Sequence, residues 1–292
     1  MRTKLVLMLP LFLLSLSSCS SLFEENEVEQ GYVAGKIVGD VVPSTTEGIN
    51  VRYYDYYSGL TDQIGEPDVF SAQNTFLTRL QTGEYKFLAY SLLNNKVRKA
   101  EDITTIEIYA DTIYSAKYDT YVIKNKQGLV YSGSDRGAIL REDTTNCLFS
   151  LHPMVLKVVC NVTVKGMSAL DVDNVETLLS GVITGRKIYT NQPISDTASQ
   201  IMSYTSVEGE ANKFTSSVYV FGISQVQNNY MDVACSGSYF SNTSRVDLTS
   251  ILSKATNDGI EINIEVNIGE DMNISNITIT DWKDLEQESI VF

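Results

Sequence analysis

The sequence predicts an all-β protein built from two tandem β-sandwich domains with short helical inserts. Apolar and polar residues alternate along most of the chain, which is typical of strands that bury one face. In Ile260–Ile268, the clearest case, all five even-numbered positions are aliphatic and the odd-numbered positions between them are polar. With 292 residues, of which 43% are hydrophobic, the chain is long enough for about two domains with their own cores.

The first 18 residues form a predicted signal peptide. Arg2 and Lys4 give a basic start, and an apolar run follows from Leu5 to Leu16. This run is too short to cross a bilayer, which takes about 20 residues of helix. A basic start, a short apolar centre and small residues at the end indicate a removable export signal.

The signal ends at Cys19, and residues 19–30 form a predicted acidic tether. The sequence Leu16-Ser17-Ser18-Cys19 resembles the signal of bacterial lipoproteins. That resemblance implies cleavage before Cys19 and attachment of lipid to its thiol; the alternative is an ordinary secretory signal with an incidental cysteine. Glu24-Glu25 resembles a surface-export tag of Bacteroidetes lipoproteins, although a solvated acidic linker fits equally well.

The charge of the chain is strongly acidic. The formal net charge is −14 for the whole sequence, and removal of residues 1–18 takes away two basic residues and no acidic one, giving −16. Nucleic acid and anionic membrane surfaces repel such a chain. We therefore expect no nucleic-acid partner, and attachment to the outer membrane through the lipid alone.

Residues 31–140 are predicted to form the N-terminal sandwich. Val33–Val41 alternates with a period of two, and Val51–Tyr57 is rich in β-forming residues and ends at a turn, Ser58-Gly59. Gly83–Tyr90 becomes apolar on both faces toward its end, which indicates a central strand. A polar stretch at residues 135–146 marks the boundary between the domains.

Residues 141–292 are predicted to form the C-terminal sandwich. The apolar face changes phase at His152-Pro153, which predicts a bulge or an edge distortion. Helical spacing in Val175–Val182, with Asp171 and Asp173 before it, predicts one short helix, and Leu248–Ala255 predicts another.

The remaining cysteines are predicted to be structural. Cys160 and Cys235 lie on apolar strand faces, which indicates buried small hydrophobic residues. A bridge between Cys147 and Cys160 is an alternative that the sequence alone does not support.

Few residues suggest chemistry, and we predict neither enzymatic activity nor a cofactor or metal. The single histidine, His152, adjoins a proline and is expected at the surface. The acidic segment Asp171–Glu176 lacks the glycine of a calcium loop, and favourable charges at a helix start explain it equally well.

A run of tyrosines is the remaining candidate site. Tyr53, Tyr54, Tyr56 and Tyr57 could stack on sugar rings or anchor a protein interface. The alternative, which the composition favours, is an ordinary strand whose tyrosines fill the core and cover an edge.

Several short motifs together resemble those of the Bacteroidales fimbrillin-like lipoproteins, a family that includes fimbrial anchor subunits. In the N-terminal part, Gly83-Glu84-Tyr85-Lys86-Phe87 is similar to a strand of transthyretin-like sandwiches. Leu151-His152-Pro153-Met154-Val155, Val246-Asp247-Leu248-Thr249 and Ile279-Thr280-Asp281-Trp282-Lys283 are the family-like segments of the C-terminal part.

This resemblance implies two transthyretin-like sandwiches and a non-enzymatic role on the cell surface. The first hypothesis is a lipid-anchored fimbrial anchor or assembly component of the outer membrane, with fimbrillin subunits as partners. Polymerising fimbrillins add strands to sheet edges, but the sequence shows no processing site that would free a groove, so an anchor or accessory subunit fits better than a shaft subunit. The second hypothesis is a glycan-binding lipoprotein of a nutrient-uptake system.

Overall fold

The computed structural model describes residues 29–39, 48–63, 66–71, 74–125, 127–166, 172–238, 240–254, 259–271 and 273–285. The signal peptide, Cys19 and almost all of the tether lie outside these residues. The described chain is almost entirely β. Its first strands are β1 (Gln30–Val38), β2 (Asn50–Asp55), β3 (Asp68–Val69), β4 (Thr75–Gln81), β5 (Gly83–Tyr90), β6 (Lys96–Arg98), β7 (Glu107–Tyr109), β8 (Thr112–Ser115), β9 (Thr120–Ile123), β10 (Tyr131–Ile139), β11 (Thr144–Ser150) and β12 (His152–Pro153).

The second half of the chain continues the series and adds one short helix. Its elements are β13 (Leu156–Gly166), β14 (Val172–Ile183), β15 (Gly185–Lys187), β16 (Thr197–Ser203), β17 (Thr205–Ser206), β18 (Lys213–Val220), β19 (Tyr230–Gly237), β20 (Ser241–Asp247), α1 (Thr249–Leu252), β21 (Gly259–Ile268) and β22 (Ile274–Asp284). The prediction of an all-β sandwich protein is confirmed.

The first sandwich packs a three-stranded sheet, β11-β1-β4, against a five-stranded sheet, β12-β10-β5-β2-β3. Strand β1 is central, parallel to β11 and antiparallel to β4. Alternate residues of these strands enter one core, which contains Val33, Phe76, Phe87, Cys147 and Phe149. In these strands the period-two pattern of the sequence therefore predicts correctly which face is buried.

Strand β5 occupies the middle of its sheet, as its doubly apolar sequence predicts. Phe87 and Ala89 enter the first core, whereas Leu88 and Tyr90 point to the opposite face and enter a second, larger core. All four are almost completely buried.

The second sandwich packs the sheet β17-β18-β13-β21-β22 against the sheet β20-β19-β14-β16-β9-β8. Strands β13 and β21 run parallel over ten residue pairs, from Lys157 opposite Gly259 to Gly166 opposite Ile268. The strand predicted at Ile260–Ile268 is confirmed, and its even-numbered aliphatic residues are all buried.

The helix predicted at Val175–Val182 is wrong, because these residues belong to strand β14. The pairing of β14 shifts between Val172 and Asn174 on one side and between Leu179 and Val182 on the other. Each irregularity displaces the apolar positions from a strict period of two, which imitates helical spacing. Gly181 has a φ of +72° at the second irregularity, a conformation that suits glycine. Asp171 lies outside the described residues.

The second predicted helix is confirmed in shortened form as α1, whose Ile251 and Leu252 are buried. The phase change at His152-Pro153 corresponds to β12, a two-residue strand at the edge of its sheet, where the missing N–H of proline is tolerated.

Strand pairing crosses the predicted domain boundary after residue 140. Strand β11 follows the boundary but joins β1 in the first sandwich. In the other direction, β7 pairs with β15 and β9 pairs with β16. The division into domains 31–140 and 141–292 stays a prediction. Within the described residues, each of the two cores contains residues from both sides of this boundary.

Candidate functional site

The tyrosine run lies at the end of β2 and in the turn that follows it. Strand β2 ends at Asp55, whose carboxylate accepts hydrogen bonds from the Ser58 amide (2.7 Å), the Ser58 hydroxyl (2.8 Å) and the Tyr57 amide (3.1 Å). These bonds, with the Ser58 amide first, hold the pKa of Asp55 below its usual value. Gly59 closes the turn with a φ of +72°, so the turn predicted at Ser58-Gly59 is present.

Tyr54 is completely buried and is therefore not available to a ligand in this structure. Its ring belongs to the second core, and its hydroxyl donates a hydrogen bond to the Ala100 carbonyl at 3.1 Å. Burial raises the pKa of Tyr54 far above its usual value. Among the predicted contact residues, Tyr54 instead has the core-filling role of the alternative interpretation.

Tyr53 points to the opposite face of β2 and is half-buried. It packs beside the first core, where its ring meets the ring of Tyr85 edge-on at 6.1 Å. Burial is also the main cause that raises the pKa of Tyr53. The Tyr53 side chain therefore packs mainly against its own sheet and presents only part of its surface to a ligand.

Tyr57 is the exposed member of the run, and Tyr56 beside it is partly buried. Their rings meet edge-on at 5.3 Å, and Tyr57 is 79% exposed. The Lys86 ammonium lies 5.0 Å from the centre of the Tyr56 ring, and Arg136 donates to the Tyr56 hydroxyl at 3.4 Å. A hydrogen bond to Glu84 raises the pKa of Tyr57. Aromatic faces beside charged groups can stack on a sugar or contact a protein.

A second exposed aromatic pair, missed by sequence reasoning, lies on the hairpin of β8 and β9. Tyr114 and Tyr121 stand opposite each other, are 52% and 60% exposed, and meet edge-on at 5.7 Å. The Tyr114 hydroxyl donates to Asp119 in the turn. Tyrosines at 114, 118 and 121 are the signal in the sequence, but only the pairing of β8 with β9 brings Tyr114 opposite Tyr121.

The three described cysteines are buried and unpaired, as predicted for Cys160 and Cys235. Cys147 lies in the first core and Cys160 in the second, so the two form no bridge. Burial raises the pKa of Cys147 and of Cys160 to about 12, and that of Cys235 to about 11. Thiols that remain protonated and buried are poor nucleophiles.

The described residues offer little that resembles a reactive centre. His152 is exposed on β12, and no group of three or more His, Cys, Asp or Glu residues in this part of the chain is arranged to hold a metal ion. No helix within the described ranges has the length and apolar character needed to cross a bilayer.

Comparison with solved structures shows what this fold is similar to. A candidate adhesin from Bacteroides ovatus ATCC 8483 has a TM-score of 0.57 at 16% identity, covering 87% of this chain and 93% of that chain. Candidate polysaccharide-binding proteins (DUF1812) from Bacteroides thetaiotaomicron VPI-5482 have a TM-score of 0.53 at 9% identity, covering 88% and 99%. The fimbrial anchor protein Mfa2 from Porphyromonas gingivalis has a TM-score of 0.50 at 13% identity, covering 86% and 97%.

No protein-family model and no curated protein sequence matches this chain. At 9–16% identity the solved structures establish a shared fold along most of both chains. The resemblance to fimbrillin-like proteins is thereby confirmed at the level of the fold.

Proposed function

We propose that this chain is a lipid-anchored protein of the outer membrane that acts on the cell surface as a fimbrial anchor or assembly component, without enzymatic activity. The observation that carries the proposal is the two-sandwich fold, shared over most of the chain with a fimbrial anchor protein and with candidate adhesins. The lipoprotein-like sequence that ends at Cys19 supports attachment to the membrane.

The position of β1 supports an anchoring role. This strand follows the tether directly and is held between β11 and β4, with seven residue pairs on each side. Hydrogen bonds in a sheet run across the strands. A pull on the tether along β1 therefore loads these bonds together instead of opening them one at a time, which suits a domain that bears force.

The first experiment tests the lipid anchor by fractionation of cells that produce Cys19→Ala. We expect this variant to leave the outer-membrane fraction and to appear in soluble fractions, because the lipid would be the only firm attachment. Ser20→Ala is the matched control and should remain in the membrane. Stable membrane association of Cys19→Ala would overturn this part of the proposal.

The second experiment tests the fimbrial role by pull-down from native cells after mild cross-linking. We expect recovery of a fimbrillin-type protein encoded near this chain, and loss of that protein when a non-fimbriated strain is used. Recovery of no such protein would count heavily against an anchor or assembly role while leaving the lipid anchor untouched.

A glycan-binding role in nutrient uptake is the second candidate, and the Tyr56–Tyr57 pair, in which Tyr57 is exposed, favours it. Calorimetry against host and plant glycans should then detect saturable binding that Tyr56→Ala and Tyr57→Ala weaken, by about 1–3 kcal/mol for loss of an aromatic contact. Tyr189→Ala, at an exposed tyrosine elsewhere, should bind as the wild type does. Absence of saturable binding would exclude this role for the glycans tested.

A further inference from the structure

We propose that the outer face of the sheet β11-β1-β4 is a docking groove for an extended segment of a partner protein that carries apolar side chains beside carboxylates. This surface, the outer groove, has a volume of about 770 Å³. That volume lies within the range of ordinary ligand sites. The groove is lined by Ala34, Gly35, Lys36, Val69, Ser71, Thr75, Phe76, Leu77, Asn146 and Leu148.

The outer groove carries exposed aliphatic side chains in a place where a sheet normally faces water. Residues that alternate with the core positions of the three strands point outward, and on such a face polar residues are expected. Here Leu77 is 69% exposed, Leu148 55% and the neighbouring Val69 53%. Exposed aliphatic side chains that line one groove indicate a contact surface more than scattered ones do.

The strand register shapes these residues into a trough. On the central strand, Ala34 stands opposite Leu77 of β4 and Asn146 of β11, and Lys36 stands opposite Leu148. Adjacent strands are about 4.8 Å apart, so the outer strands lie roughly 10 Å from each other. The small side chain of Ala34 thus forms a floor between Leu77 and Asn146, with Leu148 at the next outward position of β11, and leaves room for the side chains of one extended segment.

The charged side chains on the outer face of this sheet are opposite in sign to the net charge of the chain, and one of them, Lys36, lines the groove. Lys36 and Arg79 are the charged residues among the outward positions of β1, β4 and β11, in a chain of net charge −14. Arg79 lies 5.7 Å from the centre of the exposed Tyr32 ring. Lys36 has no ion-pair partner within the part of the chain that the structure describes.

The acidic residues in or next to the neighbouring strands β10, β11 and β3 are partly engaged elsewhere. Asp135 accepts a hydrogen bond from the Leu148 amide at 2.7 Å, and Asp143 accepts one from the Thr144 amide at 2.7 Å. Asp68 lies beside Val69 on β3. Neither Lys36 nor Arg79 forms an ion pair with these groups, so an acidic partner segment would supply the missing charge.

The same features disfavour other occupants. A symmetric pair of copies meeting through this face would bring together two surfaces whose charged residues are Lys36 and Arg79, and like charges oppose such contact. A bilayer is flat and fits poorly into a trough, and an anionic bilayer repels the acidic body of the chain. An extended polypeptide with acidic and apolar side chains satisfies both the shape and the charge.

This inference rests on the proposed function in one respect: an assembly component needs a surface for a second protein, and the outer groove supplies it. The experiment below does not depend on the lipid anchor or on a fimbrial partner, so the two proposals can fail separately.

The test measures binding of labelled heptapeptides to the whole chain by fluorescence anisotropy. The probe is Leu-Ser-Glu-Ser-Leu-Ser-Glu, in which the leucine and glutamate side chains share one face of an extended chain, and the two comparison peptides replace Glu by Lys or Leu by Ser. We expect the probe to bind at least about tenfold more tightly than either comparison peptide, and its binding to weaken as salt is added.

Two variants on opposite walls locate the site. Lys36→Glu and Leu148→Ser should each weaken binding of the probe by at least about fivefold. Lys124→Glu and Leu60→Ser are the matched controls at exposed positions outside the groove and should leave binding unchanged. Thermal unfolding identifies any variant that is destabilised, and the charge reversal at Lys36, which is exposed, keeps the test decisive if Leu148→Ser fails to fold.

Three results would overturn the proposal. Equal binding of all three peptides, or unchanged binding in both groove variants, would show that no acidic segment docks there. Binding to phosphatidylglycerol vesicles that Lys36→Glu abolishes, without peptide binding, would identify a membrane contact instead. A dimer in sedimentation experiments that Leu148→Ser dissociates, again without peptide binding, would identify an interface between copies.

Discussion

At the scale of single residues, the buried carboxylate of Glu107 holds Arg98, which in turn pairs with a residue in the second half of the chain. It accepts hydrogen bonds from Arg98 Nε at 2.6 Å and Lys99 Nζ at 2.7 Å, and Arg98 also pairs with Asp196 at 3.0 Å. Burial raises the pKa of Glu107, but the bonds from Lys99 and Arg98 outweigh it, so the pKa lies below its usual value. A paired buried charge is costly to leave without its partner.

Glu107→Gln should therefore destabilise the protein in a pH-dependent way. A depressed pKa contributes stability that is fully present above the unfolded-state value of about 4.3 and is lost as pH falls through the lower folded-state value. We expect a loss of about 1–3 kcal/mol at pH 7. Urea unfolding should show this difference shrinking between pH 5 and pH 3.

Glu101→Gln, at an exposed carboxylate in the neighbouring turn, is the control and should change stability little at either pH. A constant difference between Glu107→Gln and the wild type across this pH range would contradict the assigned ion pair.

At the scale of elements, glycines define both ends of the parallel ladder between β13 and β21. Gly259 has a φ of +127°, and a Cβ there would lie 2.1 Å from the Lys157 carbonyl oxygen. At the other end, a Cβ on Gly166 would lie 2.0 Å from the Ile268 carbonyl oxygen. Both obstacles are backbone atoms, which cannot turn aside as a side chain can.

Gly259→Ala should consequently destabilise the second sandwich by about 2–4 kcal/mol, from backbone strain together with the close contact. Gly209→Ala is the matched control, because Gly209 also has a positive φ (+77°) but has nothing within 4 Å of an added Cβ. It should cost only about 1 kcal/mol. Equal losses of unfolding free energy in the two variants, measured by urea unfolding, would mean that the close contact with the Lys157 carbonyl does not contribute to the destabilisation.

At the scale of the whole molecule, the two cores are joined by strands that cross between the halves of the sequence. Cys147, Phe149 and Leu151 follow residue 140 but complete the first core. Ile106 and Ile108 precede residue 140 but belong to the second core. Main-chain bonds from Ala110 to Thr184 (2.8 Å) and from Ile188 to Ile106 (3.0 Å) reinforce the connection.

Separate fragments 29–140 and 141–292 should thus fail to fold cooperatively, since each lacks strands that the other holds. The whole chain should unfold in one calorimetric transition. As a control, a nick in the exposed loop around Gly209 should be tolerated, because that loop connects neighbouring strands and carries few contacts. Two independent, native-like fragments would favour the boundary predicted after residue 140.

The sequence by itself determined the all-β class, most of the individual strands and the central position of β5, because a period of two directly reports which face of a strand is buried. It did not reveal β14, since two irregularities in pairing displaced its apolar residues into helical spacing, nor did it separate buried Tyr54 from exposed Tyr57.

Only the tertiary structure decided which strands share a sheet. Pairing of β11 with β1, and of β9 with β16, joins residues far apart in sequence, and no local pattern encodes such partners. The outer groove depends on the same pairing, because Leu77, Ala34 and Leu148 become neighbours only when three distant strands meet. Local periodicity determines which face of a strand is buried. Long-range packing determines which other strands cover that face.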